Sequence, residues 1–74
     1  MKFSIMGVPK GKDFATFEQS IRAVLSDLGP IMGWADDGQY LYDYRLTREQ
    51  ISAIEQTYSL ALPKDLELYL TCID

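Results

Sequence analysis

The chain has 74 residues, enough for one small domain, and 47% of them are hydrophobic, the level of a globular rather than a disordered chain. Its formal net charge is −4, and from Asp13 onward four bases stand against eleven acids. That balance disfavours a free nucleic-acid binder, which needs clustered Lys and Arg against phosphate, and the absence of histidine with a single Cys72 argues against His-based acid–base chemistry, an internal disulfide and a thiol zinc site.

Lys2 to Val8 reads as a short strand, with Phe3 and Ile5 on one face and Lys2, Ser4 and Met6 on the other. Pro9, Gly11 and two lysines follow as a loop. The run from Gly7 to Asp13 has the flavour of a phosphate loop, but it is one residue short of the Walker pattern and places Asp13 where the Mg²⁺-binding hydroxyl belongs. Asp13 is a good N-cap for a helix carrying Phe14, Phe17, Ile21, Val24, Leu25 and Leu28. Gly29 is expected to end that helix in a left-handed conformation, and Pro30 to stop its continuation.

From Ile31 to Leu46 the pattern predicts a β-hairpin turning at Asp37-Gly38, a dipeptide suited to a type I′ turn. In that register Trp34 faces Leu41 and Ala35 faces Tyr40. Thr47 to Gln50 forms a capping box, and Ile51, Ile54 and Tyr58 continue as a second helix. Residues 66–73 alternate as a half-buried strand, yet also fit a helix starting at Pro63. With a final strand the order is βαββαβ, a ferredoxin-like α+β domain over residues 1–74 with both helices on one face of a four-stranded antiparallel sheet. The alternative is βαββαα with a C-terminal helix.

Summed by face, the strands divide cleanly. One face carries Phe3, Ile5, Ile31, Gly33, Ala35, Tyr40, Tyr42, Tyr44, Leu46, Leu66, Leu68, Leu70 and Cys72, without a charge. The other carries Lys2, Ser4, Met6, Met32, Trp34, Leu41, Asp43, Arg45, Glu67, Tyr69 and Thr71. Burying the second set would desolvate Asp43, Arg45 and Glu67, so the first set is expected under the helices. The uncovered face then mixes aromatic, thioether and charged groups, the composition of a binding surface. The candidate partner-binding residues are Met32, Trp34, Leu41, Asp43 and Tyr69, with Asp36 and Asp37 at the hairpin tip. The pattern offers no catalytic constellation, no cofactor site and no metal cage, since two adjacent acids do not enclose a cation.

Glu55, Leu62-Pro63, Asp65 and Tyr69-Leu70 stand at the spacing of an opening motif seen in immunity proteins of the SUKH family, which this stretch of sixteen residues resembles. Many members of that family bind and neutralise toxins. The resemblance implies a helical final segment and transfers no binding residue.

The expected function is a non-enzymatic, acidic protein-binding module that docks on a basic macromolecular partner and inhibits or modulates it. Nucleic-acid-handling enzymes are natural targets of that kind, and the chain's properties are similar to those of small phage-encoded inhibitors such as anti-CRISPR proteins. A self-associating, ligand-sensing domain is the alternative, with a homodimer left open. An acylphosphatase-like hydrolase is disfavoured because the first loop offers lysines rather than arginine and the chain has no asparagine. No run approaches the ~18 apolar residues of a membrane span, and residues 1–8 lack the long apolar stretch of a signal peptide, so the expected location is cytoplasmic, without a membrane partner.

Overall fold

Two eight-residue strands from opposite ends of the chain pair at the centre of the molecule. They are β1 (Lys2–Pro9) and the last strand, Leu66–Ile73. The computed structural model describes residues 2–35 and 38–73, the last of these by its backbone alone. The elements run β1, β2 (Phe17–Ile21), α1 (Leu25–Met32), a 3₁₀ turn at Gln39–Leu41, β3 (Tyr44–Arg45), α2 (Arg48–Tyr58) and β4 (Leu66–Ile73). The four strands form one sheet in the order β2-β1-β4-β3, and every neighbouring pair is antiparallel.

The α+β class, the four-stranded antiparallel sheet and the two helices are those expected. The ferredoxin-like reading holds at that level, while the chain supplies its strands in a different sequence, ββαβαβ. Residues 66–73 are a strand, as the alternation suggested, so neither a final helix nor the helical end implied by the SUKH resemblance forms. β4 is inserted between β1, which pairs with it along its whole length, and the two-residue β3, whose ladder is extended by Leu46 N–H donating to the Leu68 carbonyl at 2.8 Å.

Register places Phe3, Ile5 and Gly7 of β1 beside Cys72, Leu70 and Leu68 of β4 and beside Ile21, Gln19 and Phe17 of β2. This is the covered face. Its buried members Phe3, Ile5, Ile21, Leu68 and Leu70 join Leu28 of α1, Ile54 of α2, Leu46 and Leu62 in one cluster. Both helices therefore pack on the same side, as the charge-free face required. Gly7 sits at a close approach. A Cβ there would stand 2.7 Å from Leu66 Cδ1 and 3.1 Å from Phe17 Cβ, so a side chain at this position would require the Leu66 side chain to turn away and β2 to give by a few tenths of an ångström.

The expected helix from Asp13 to Leu28 is not formed. Residues 17–21 are β2, and the helix starts only at Leu25. Phe17 and Ile21 are four apart, a separation that lies on one face of a helix and equally on one face of a strand. Pairing with β1 decides between them, because β1 would otherwise leave an edge of unpaired backbone groups. The region between β1 and β2 is a loop, expected for Pro9 to Lys12 but not for residues 13–16, and it is held by Lys12 N–H to the Pro9 carbonyl at 3.0 Å and Thr16 N–H to the Gly7 carbonyl at 2.9 Å.

Pro30 does not stop α1. It lies inside the helix, on its exposed side, and costs the one bond its missing N–H would have made to Ser26. Gly33, not Gly29, supplies the left-handed residue, with φ 72°, and the Gly29 carbonyl accepts from both Gly33 and Trp34 N–H at 2.8 and 3.0 Å. α2 begins as expected. Thr47 Oγ1 accepts from Gln50 N–H at 3.2 Å and Gln50 Oε1 accepts from Thr47 N–H at 2.8 Å, the reciprocal capping box. It ends on Ser59 at φ 56°, a left-handed position held without glycine.

Candidate functional site

The hairpin on which most of the candidate site rested is absent. Ile31 and Met32 belong to α1, Gly38 has a negative φ of −89° where a type I′ turn needs a positive one, and residues 39–41 wind into a 3₁₀ turn. Only Tyr44 and Arg45 remain as strand. Asp36 and Asp37, the acids of the proposed tip, lie outside the described residues.

Losing the hairpin moves its residues off the open sheet face. Trp34 turns inward and packs against the core, its ring 6.5 Å from Phe3 and 5.5 Å from Tyr44. The reason is the left-handed Gly33, which redirects the chain so that strand alternation no longer applies to residue 34. Trp34 Nε1 is buried without a hydrogen-bond acceptor among the described residues. Met32, the last residue of α1, also packs against the core. Leu41 and Asp43 are exposed, yet sit on the turn before β3 rather than on the sheet. Of the five candidates among the described residues, Tyr69 alone occupies the place expected for it, half-buried on the open face of β4.

The tyrosines also divide. Tyr40 and Tyr44 pack inward as expected, whereas Tyr42 is 67% exposed. Its neighbour Leu41 is 56% exposed, and the two follow one another on the 3₁₀ turn and its C-cap. That turn is held at both ends. Leu41 N–H donates to the Gly38 carbonyl at 3.2 Å, Gln39 Oε1 accepts from Ala35 N–H, and the Tyr44 hydroxyl donates to the Gln39 carbonyl at 2.6 Å. The turn thus displays a leucine and a tyrosine to solvent, followed directly by the exposed carboxylate of Asp43. The sequence had named Leu41 and Asp43 but placed Tyr42 in the core. What separates Tyr42 from Tyr40 and Tyr44 is the 3₁₀ turn at residues 39–41, which breaks the strand alternation that had placed all three on one face.

The open face of the sheet is made of the other register. Ser4 and Met6 of β1 stand between Ser20 and Glu18 of β2 on one side and Thr71 and Tyr69 of β4 on the other, with Arg45 of β3 beside Tyr69. One row therefore crosses all four strands as Glu18, Met6, Tyr69, Arg45. Met6 and Tyr69 are half-buried at its centre, and the charged ends are exposed. Arg45 Nη2 also reaches Glu67 Oε1 at 3.3 Å, a surface pair of small energetic weight.

A concavity of about 540 Å³ lies between α2 and the segment before β4, with Ile51, Pro63 and Leu66 as its apolar wall and Arg48 and Lys64 at its rim. Of the SUKH-like motif only Glu55 and Pro63 line it, whereas Tyr69 lies on the open face of β4 and Leu70 in the core. Glu55 Oε2 accepts from Leu62 N–H at 2.8 Å and pairs with Lys64, so this glutamate clamps the loop after α2 to the helix. Those two interactions, the backbone bond first, hold the Glu55 carboxyl below its ordinary value of 4.5. A carboxyl lowered on folding stabilises fully above its unfolded value, and the contribution is lost as pH falls through the folded one. Glu55→Gln keeps an oxygen for Leu62 N–H but does not titrate. Its thermal midpoint should therefore fall less than that of the wild type as the buffer is taken from neutral to below pH 4.5, read by circular dichroism. Equal falls would remove the clamp as the cause. The Tyr58 hydroxyl is raised from its ordinary 10.0, by burial and then by its 3.1 Å bond to Asp27 on α1.

The fold and this surface define a small α+β domain with one covered sheet face, one open one and an exposed apolar turn before β3. Among the described residues no helix is long and apolar enough to cross a membrane. No family model matches the chain, and neither a curated protein nor a solved structure does.

Proposed function

We propose that this protein is a non-enzymatic, acidic binding module that docks on another protein with a basic surface and inhibits or modulates it. The observation that carries the reading is the adjacent pair Leu41 and Tyr42, more than half exposed on a turn held by its own hydrogen bonds. Large apolar side chains displayed on a pre-ordered turn lose little entropy on docking, and tyrosine is enriched among residues that dominate interfaces. Asp43 directly after them and the net charge of −4 favour a partner of opposite charge and speed its approach. A nucleic-acid-handling enzyme presents such a surface, which suits an inhibitor of the phage or immunity type acting in the cytoplasm.

The test is capture of partners by the tagged protein, followed by titration of the purified partner. Leu41→Ala combined with Tyr42→Ala should weaken binding at least tenfold, and wild-type binding should fall as ionic strength rises above about 0.15 M. Phe14→Ala removes another exposed apolar side chain, distant in sequence, and serves as the control. Undiminished binding by the double variant would overturn the assignment of the turn.

A further inference from the structure

The row across the open face is complementary to itself, and we infer that this face pairs two copies of the chain. Glu18 lies on edge strand β2 and Arg45 on edge strand β3, with Met6 and Tyr69 on the two strands between. A two-fold axis in the plane of the interface, parallel to the strands and midway between β1 and β4, turns the row end for end and lays it on its copy. Glu18 then meets Arg45 of the second copy, Met6 meets Tyr69, and each contact occurs twice. No other simple superposition does this. A copy shifted sideways along the row sets Glu18 against an apolar residue, and one with the row unreversed sets like charge on like.

The chemistry of each position fits that arrangement. Met6 and Tyr69 are adaptable and aromatic respectively, and both are already half-buried within the sheet. The row on one side, Ser20, Ser4 and Thr71, is small and uncharged, and the row on the other sets Glu67, which pairs with Arg45, against Val8 of the second copy. Arg45 rests against Glu67 at 3.3 Å with its side chain 65% exposed, which leaves donors of its guanidinium for a second carboxylate. Glu18 is exposed and has no ion-pair partner among the described residues. Sheets packed face to face lie about 10 Å apart, a gap that methionine and tyrosine side chains span together. The turn at Leu41 and Tyr42 contributes no residue to this row, and the test below leaves both residues unchanged.

Sedimentation velocity of four samples tests the pairing: wild type, Glu18→Arg, Arg45→Glu, and the two variants mixed in equal amounts. The wild type should form a dimer whose population rises with concentration up to about 1 mM and falls with added salt. Each variant alone places like charges together twice per dimer and should associate at least tenfold more weakly. The mixture sets two arginines against two glutamates in a heterodimer and should recover the dimer mass. Recovery in the mixture also shows that both variants are folded. A wild type that stays monomeric throughout, a variant that dimerises as the wild type does, or a mixture that stays monomeric would each overturn the inference.

Discussion

Trp34→Ala should lower the stability of the domain by about 3 kcal/mol, in the range of large-to-small core substitutions. Trp34→Phe should stay within about 1 kcal/mol of the wild type. The first effect follows from position. The indole sits between Phe3, the largest buried residue of β1, and Tyr44 of the short strand β3, in ring contact with both. Removing it leaves a void beside the sheet's central strand and frees the segment that leads out of α1. The second effect follows from chemistry. Trp34 Nε1 is a buried donor with no acceptor among the described residues, and such a group costs about 1–3 kcal/mol. Phenylalanine gives up part of the ring contact but also removes that orphaned donor, so loss and gain offset each other. Urea or thermal unfolding followed by circular dichroism reads both variants, because Trp34 is the only tryptophan and its fluorescence is lost with it. For a domain of this size about 3 kcal/mol moves the thermal midpoint by more than ten degrees. A Trp34→Ala variant with an unchanged midpoint would return the residue to the surface, where the sequence alone had placed it.

What the sequence made legible, and what it hid, divides by the range of the deciding interaction. The capping box at Thr47 is complete within four residues, and it formed as read. Alternation in residues 2–8 and 66–73 is long enough to fix a face, and the two strands then pair with each other, so their parity survived into the sheet. Phe17 and Ile21 satisfied two periods at once, and only their distant partner β1 chose the strand. Asp37-Gly38 offered a strong local turn, yet a hairpin there needed Ile31 and Met32 in a strand. The helix took them instead by running through Pro30 to a left-handed Gly33. Once the chain bent at Gly33, every face assignment between residues 32 and 43 lost its basis. That is why Trp34 and Met32 went to the wrong side while Tyr69, whose strand is fixed by long-range pairing, did not.

Ile54→Ala should unfold the whole domain together, at a cost of about 3 kcal/mol. Domains of this length hold roughly 0.05–0.15 kcal/mol per residue, so the substitution removes a large fraction of the total. Ile54 is the one fully buried residue of α2 and belongs to the same cluster as Leu28 of α1 and Phe3, Ile5, Leu68 and Leu70 of the sheet. α2 is further tied to α1 through Tyr58 and Asp27, and to the segment before β4 through Glu55 and Leu62. A helix connected to both of its neighbours through one cluster does not detach without loosening them. Two probes separate local from global loss. Circular dichroism follows the helices, whereas Trp34 fluorescence follows the packing on Phe3 and Tyr44. In Ile54→Ala both signals should shift to the same lower midpoint. Ile51→Ala, at a half-buried position one turn earlier, should shift both by less. If the dichroism of Ile54→Ala fell while the Trp34 signal kept its wild-type midpoint, α2 would be a separable layer and the single-cluster account would fail.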